Sequence, residues 1–287
     1  MGRLLCRYRG GALLPCFVCC GPPVCGLYGI MNSFNQIIIS LSSFGASEVR
    51  RHGQRWFVEL CHAAGADGVE IRGELLQGRN NELTELATSV RDAGMTCVYS
   101  SPEMLWDQTG ALNLPALERG LAGAIALNAP VLKMSIGAFP HAGINGLDVM
   151  KQRLAGQNVS LLIENDQTAT AGTVDFLQQF FNAAGASGLE LGMTFDMGNW
   201  HWQGECPMQA AQRFASRVRY VHCKGVQRQP GRWVAVPLAD SMAPWRAILR
   251  TLPRNLPCAI EYPLVGEDLL SVTRAAIDEL RNLKEKS

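Results

Sequence analysis

Long apolar runs are missing from this chain. No stretch approaches the about 18–20 unbroken apolar residues that a membrane-spanning helix needs. A surplus of either charge is missing too: the formal net charge is +1 over 287 residues. That balance gives no electrostatic reason to expect nucleic acid or an anionic membrane as partner. No run of Lys or Arg builds a basic face. The first apolar run is followed by Ser42-Ser43-Phe44-Gly45-Ala46-Ser47, not by the glycine-rich phosphate turn of a dinucleotide-binding open sheet. No organic cofactor is therefore expected. Around Cys16, Cys19, Cys20 and Cys25, no histidine or second C-x-x-C pair completes a four-ligand zinc set.

What is present describes a soluble chain with ample core, 47% hydrophobic and 18% charged. Ten cysteines are unevenly spread: five lie in the first 25 residues, and Cys61, Cys97, Cys206, Cys223 and Cys258 are scattered. Scattered single cysteines on apolar elements read as reduced core residues of a cytoplasmic protein. The first 30 residues, with Arg3, Arg7 and Arg9 before an apolar run, imitate a signal peptide, but Gly21-Pro22-Pro23 interrupts the run. We read residues 1–30 as a disordered leader or as lying upstream of the true start at Met31. A targeting segment and a metal or structural role are the alternatives.

From residue 36 onward, apolar runs and helical periodicities alternate. Strands are expected at 36–41, 67–72, 95–99, 130–136, 159–164, 191–196, 218–223 and 258–262. Helices are expected from Ser47 as N-cap to Ala64, then at 80–92, 114–127, 146–156, 172–184 and 208–216, from about Ala243, and at 267–284. A longer loop through Trp233 follows the seventh strand. Short apolar strands alternating with helices argue for a parallel sheet covered on both faces. Eight such units in about 250 residues are the arithmetic of a single-domain α/β fold, the (β/α)8 TIM barrel, over residues 31–287. A doubly wound open sheet is the runner-up.

Four consecutive strands end on polar residues. Leu162-Ile163-Glu164 is followed by Asn165-Asp166, Thr194-Phe195-Asp196 by Met197-Gly198-Asn199, Tyr220-Val221-His222 by Cys223-Lys224, and Ala259-Ile260-Glu261 by Tyr262. A barrel gathers the C-terminal ends of its strands at one mouth, where active sites sit. Glu164, Asp196, His222 and Glu261 would thus face a common centre. Alone, each is as readily a loop cap, an ion-pair partner or a core histidine. Together, one imidazole and three carboxylates make a mostly oxygen set that suits Mn²⁺, Mg²⁺ or Co²⁺ better than a thiolate-rich zinc site.

These four tips, with Gly68-Val69-Glu70-Ile71-Arg72 on the second strand, resemble the xylose isomerase-like TIM-barrel superfamily, over about residues 36–285. It contains sugar isomerases and epimerases, inosose dehydratases and, as a relative, endonuclease IV. The resemblance implies one divalent cation held by Glu164, Asp196, His222 and Glu261, with the two glutamates doubling as the acid/base pair. It also implies an arginine near the metal-bound glutamate at Arg228. The chain departs from the pattern where Asn199 stands in place of a histidine and Gly225 in place of an aspartate.

The resulting expectation is a metal-dependent sugar or keto-sugar isomerase or epimerase. It would abstract a proton next to a carbonyl through a metal-stabilised enediolate. Trp200, His201, Trp202 and Trp233 can wall a sugar pocket or merely pack loops. Glu70 and Arg72 read first as an internal ion pair and second as substrate contacts. Lys133, Lys224 and Asn199 are further candidate contacts. An inosose dehydratase-like lyase on the same metal site is the alternative. A DNA-repair endonuclease fits less well, because its extra metal ligands are missing where Tyr99-Ser100-Ser101 and Met134-Ser135-Ile136 stand. The expected partner is a small sugar, and a homo-oligomer is compatible with this reading.

Overall fold

The computed structural model describes residues 35–140 and 146–285, so the expected leader, 1–30, lies outside the described residues. Eight parallel strands close on themselves: β1 (Ile37–Ser40), β2 (Gly68–Arg72), β3 (Thr96–Trp106), β4 (Val131–Gly137), β5 (Ser160–Glu164), β6 (Gly192–Asp196), β7 (Val218–Cys223) and β10 (Cys258–Ile260). Sequential neighbours pair around the ring, and β10 closes it between β7 and β1, with Cys258 opposite both Ile37 and Val221. The (β/α)8 barrel is what the alternation of apolar runs and helices required.

Nine α-helices lie among the described residues: α1 (Ala46–His52), α2 (Gln54–Ala64), α3 (Glu82–Asp92), α4 (Leu114–Ala126), α5 (Leu147–Leu154), α6 (Val174–Ala186), α7 (Pro207–Phe214), α8 (Trp245–Thr251) and α9 (Leu269–Glu285). None is long and apolar enough to cross a membrane. The first expected helix divides in two at Gly53, whose φ of 79° is open to glycine but costly for a residue with a Cβ. Gly45, not Ser47, precedes it.

Between strands and helices lies a continuous apolar layer. Val69, Leu132, Ile163, Phe195 and Val221 face it from the sheet, and Phe57, Leu117, Phe180, Phe214 and Ile277 from the helices. Apolar burial of this kind contributes roughly 25 cal/mol per Å² removed from water. Of the scattered cysteines, Cys61, Cys97, Cys223 and Cys258 are buried, but Cys206 is exposed.

Two further departures bear on the mouth. The third strand runs on to Trp106, with a register shift between Ser100 and Met104 beside Pro102, which has no N–H for the ladder. The loop after β7 is an antiparallel hairpin, β8 (Gly225–Gln229) and β9 (Arg232–Val236). The hairpin explains Gly225: a Cβ there would lie 2.5 Å from the Val236 carbonyl oxygen. Pro230 and Gly231 form its turn, Gly231 with φ 78°.

Candidate metal centre

Glu164 is the last residue of β5 and Asp196 the last of β6. His222 is the penultimate residue of β7, and Glu261 follows β10 directly, one place beyond the strand end. Pairing of Asp196 with His222 and of Ala259 with His222 sets neighbouring strands in register. The four side chains come together, each offering a ligand atom, and these atoms all lie within 4.8 Å of one another.

Each carboxylate divides its two oxygens in the same way. Asp196 Oδ1 accepts from the backbone N–H groups of Gly198 and Asn199 at 2.8 and 2.9 Å, while Oδ2 lies 3.8 Å from His222 Nδ1. Glu261 Oε1 accepts from the Arg72 guanidinium at 2.8 Å, and Oε2 lies 2.8 Å from the same Nδ1. Glu164 Oε2 accepts from Lys133 Nζ, and Oε1 lies 2.9 Å from Nδ1. Three carboxylate oxygens therefore converge on one ring nitrogen that can carry a single proton. Asp196 Oδ2 is buried without a well-directed hydrogen bond, although Lys224 Nζ stands 2.7 Å away. An excess of buried acceptors over donors is the environment a divalent cation resolves. The donor set, three oxygens and one imidazole nitrogen, fits such an ion.

The surrounding cations shape the electrostatics. Lys224 Nζ also lies 3.0 Å from Glu261 Oε2. Burial works to raise the pKa of Glu261, but His222, Lys224 and Arg72 outweigh it and hold the carboxyl well below its usual range. Burial likewise opposes ionisation of Glu164, and Lys133 and His222 prevail to lower it. Burial disfavours the His222 imidazolium, yet Glu261 and Glu70 raise its pKa well above the ordinary value. For Lys224, Asp196 and Glu261 overcome the burial penalty and keep the ammonium charged.

The other expected contacts are placed unevenly. Glu70 and Lys133 are 0% and 2% exposed and stand as internal ion-pair partners of Arg72 and Glu164. Asn199 is buried as well. Its Nδ2 donates to the Asn165 carbonyl, and its Oδ1 accepts from Gln167 Nε2 and Lys224 Nζ. Trp200 is fully buried, stacked on Phe214 at 9° with centroids 6.0 Å apart. It is a core residue and not a pocket wall, because the 3-10 turn Asn199–Gln203 directs it at α7. His201 and Trp233 are half-buried and pack on each other at 4.8 Å. Desolvation keeps the His201 pKa low. Arg228 is exposed on the hairpin with its guanidinium 5.3 Å from the Trp233 ring centre. Among the described residues it makes no ion pair with Glu164 or Glu261. Arg72, at 15% side-chain exposure, is the arginine that holds a cluster glutamate. Its G-V-E-I-R run was a sequence signal, but its partner lies 189 residues away.

Comparison with known proteins places these features. A family model described as xylose isomerase-like TIM barrel matches residues 58–285. The barrel superposes on the probable 3-DHS dehydratase AsbF of Bacillus anthracis with a TM-score of 0.65 at 14% identity, covering 85% of this chain and 98% of that one. D-psicose 3-epimerase from Clostridium cellulolyticum H10 gives 0.60 at 16% identity, over 86% and 99% of the two chains. An L-ribulose 3-epimerase gives 0.62 at 15% identity, over 88% and 95%. Comparison with curated protein sequences found no match.

Proposed function

Because this chain belongs to the xylose isomerase-like TIM-barrel family, we propose that it is a divalent-metal-dependent isomerase or epimerase of a small sugar or keto-sugar. The observation that carries the reading is the convergence of Glu164, Asp196, His222 and Glu261 within 4.8 Å. These four would hold the ion, and their hard oxygen-rich set suits Mn²⁺, Mg²⁺ or Co²⁺. When bound, such an ion supplies Lewis-acid polarisation of a substrate carbonyl and a template for the adjacent hydroxyl.

The protein's own groups divide the remaining work. Asp196 and His222 are 0% exposed, whereas the Glu164 and Glu261 side chains keep 14% and 10% exposure. Of the four, only the two glutamates therefore present an edge to an incoming substrate. They stand on β5 and after β10, with β6 and β7 between them, so they approach from separate sides. Their depressed pKa values keep both ionised at neutral pH, the state needed to accept a proton. One carboxylate takes the proton next to the carbonyl. Return by the other to the opposite face of the same carbon inverts the centre, and return to the neighbouring carbon interconverts aldose and ketose. Lys224 can donate to a substrate hydroxyl at the edge of the cluster. His201, Trp233 and Arg228 on the hairpin side form the outer wall against which a sugar would lie.

A second reading has its own support. Lys224 Nζ lies 3.0 Å from Glu261 Oε2, placed to donate a hydrogen bond to a departing hydroxyl. With a dehydratase among the structural neighbours, this favours a lyase on the same centre as the alternative. One experiment separates the two: a panel of sugars and keto-sugars incubated with Mn²⁺ in D₂O and followed by NMR and ultraviolet absorbance. Deuterium entering one carbon with no new absorbance supports the isomerase or epimerase. A growing enone band supports the lyase, and no exchange across the panel, with Mg²⁺ or Co²⁺ in place of Mn²⁺ as well, would remove both.

A further inference from the structure

One carboxylate below the cluster has no substrate to touch and yet reaches nearly every part of it. Glu70 is fully buried on β2, across the barrel from β6. Its Oε2 lies 2.8 Å from His222 Nε2, the ring nitrogen that faces away from the other ligands. Its Oε1 accepts from the Arg72 guanidinium at 2.8 Å and from Ser40 Oγ at 3.3 Å, and lies 3.7 Å from Lys133 Nζ. The same guanidinium nitrogen of Arg72 donates to Glu261 Oε1, and the same ammonium of Lys133 donates to Glu164 Oε2.

Three consequences follow from this connectivity. A carboxylate on Nε2 keeps the N–H on that nitrogen, so Nδ1 is the one that would give up its proton to a cation and turn its lone pair toward the centre. Arg72 and Lys133, each shared between Glu70 and a glutamate of the cluster, draw one oxygen of Glu261 and one of Glu164 outward. The other oxygen of each is thereby turned toward His222 Nδ1. Removing Glu70 would also leave two buried cations with less than their full counter-charge, a costly state in a dry interior.

We propose that Glu70 is a positioning residue for the metal centre, setting the ring nitrogen that His222 presents and, through Arg72 and Lys133, the orientation of Glu261 and Glu164. It rests on the reading of the four-residue cluster as a metal site. Outer partners of ligating histidines characteristically affect metal affinity by about 10- to 100-fold when replaced.

The test is Co²⁺ titration of the purified full chain, read by visible absorbance and calorimetry, which needs no knowledge of the substrate. Glu70→Gln keeps the side-chain shape and an acceptor for His222 Nε2 but removes the charge that holds Arg72 and Lys133. It should weaken Co²⁺ binding about 10- to 100-fold and shift the absorbance bands. Should this variant fail to fold, the charge-balanced double variant Glu70→Gln/Lys133→Met takes its place, and it too should bind weakly. Folded variants that bind Co²⁺ with wild-type affinity and unshifted bands would overturn the proposal. A wild-type chain that takes up no Co²⁺ would overturn the metal-centre reading itself, and this proposal with it.

Discussion

Glu261 is the residue on which most depends. It is gripped by Arg72 on one oxygen and faces His222 and Lys224 with the other, and it is one of the two cluster carboxylates open to the mouth. Glu261→Gln keeps the volume and removes the proton acceptor. Solvent-deuterium exchange into substrate should fall by at least about 100-fold with an unchanged circular dichroism spectrum. Near-normal exchange would sink the acid/base assignment. Trp200 makes the opposite case, an aromatic near the cluster that belongs to the core. Trp200→Ala should cost about 3–5 kcal/mol in urea unfolding. A variant of unaltered stability whose only defect is a raised KM would show instead that the ring reaches the pocket.

At the level of elements, much of the barrel could be read directly. The eight short apolar runs, the helices between them and the tips of β5, β6 and β7 that carry Glu164, Asp196 and His222 follow from patterns within ten residues. The departures have local causes of another kind. The split at Gly53 and the bulge at Pro102 depend on single backbone conformations. The hairpin after β7 leaves little mark in the sequence, because Gly225–Gln229 and Arg232–Val236 alternate weakly and are mostly half-buried or exposed. Glu70 was legible as half of an ion pair, whereas its place beneath His222 depends on a contact across 152 residues. Sequence spacing carries no sign of such a contact. Gly225→Ala tests the hairpin: the added methyl meets the Val236 and Pro237 carbonyl oxygens. It should loosen the β8–β9 pair, visible as faster amide exchange confined to residues 225–236, while β5 and β6 stay protected. Unchanged exchange there would mean that the hairpin does not depend on glycine.

For the molecule as a whole, the cluster is a concentration of buried charge. Glu70, Glu164, Asp196 and Glu261 face Arg72, Lys133 and Lys224, with the His222 ring among them. A ligand that binds only the folded chain stabilises it by mass action, by about 2.7 kcal/mol at a hundred times its dissociation constant. Added Mn²⁺ should therefore raise the melting temperature, EDTA should reverse the rise, and Asp196→Asn should abolish it. An equal rise in the variant would place the ion elsewhere.

The closing pair of strands gives this centre one more property. Three of its members sit on β5, β6 and β7, which follow one another along the chain, but Glu261 takes its position only once β10 has docked between β7 and β1. That step joins residues from opposite ends of the barrel sequence, the kind of distant pairing that folding reaches slowly. A chain broken off before residue 258 would carry three of the four groups and no seat for the last. Under the proposed reading, an ion held by all four groups would report ring closure and act as a latch on the final seam.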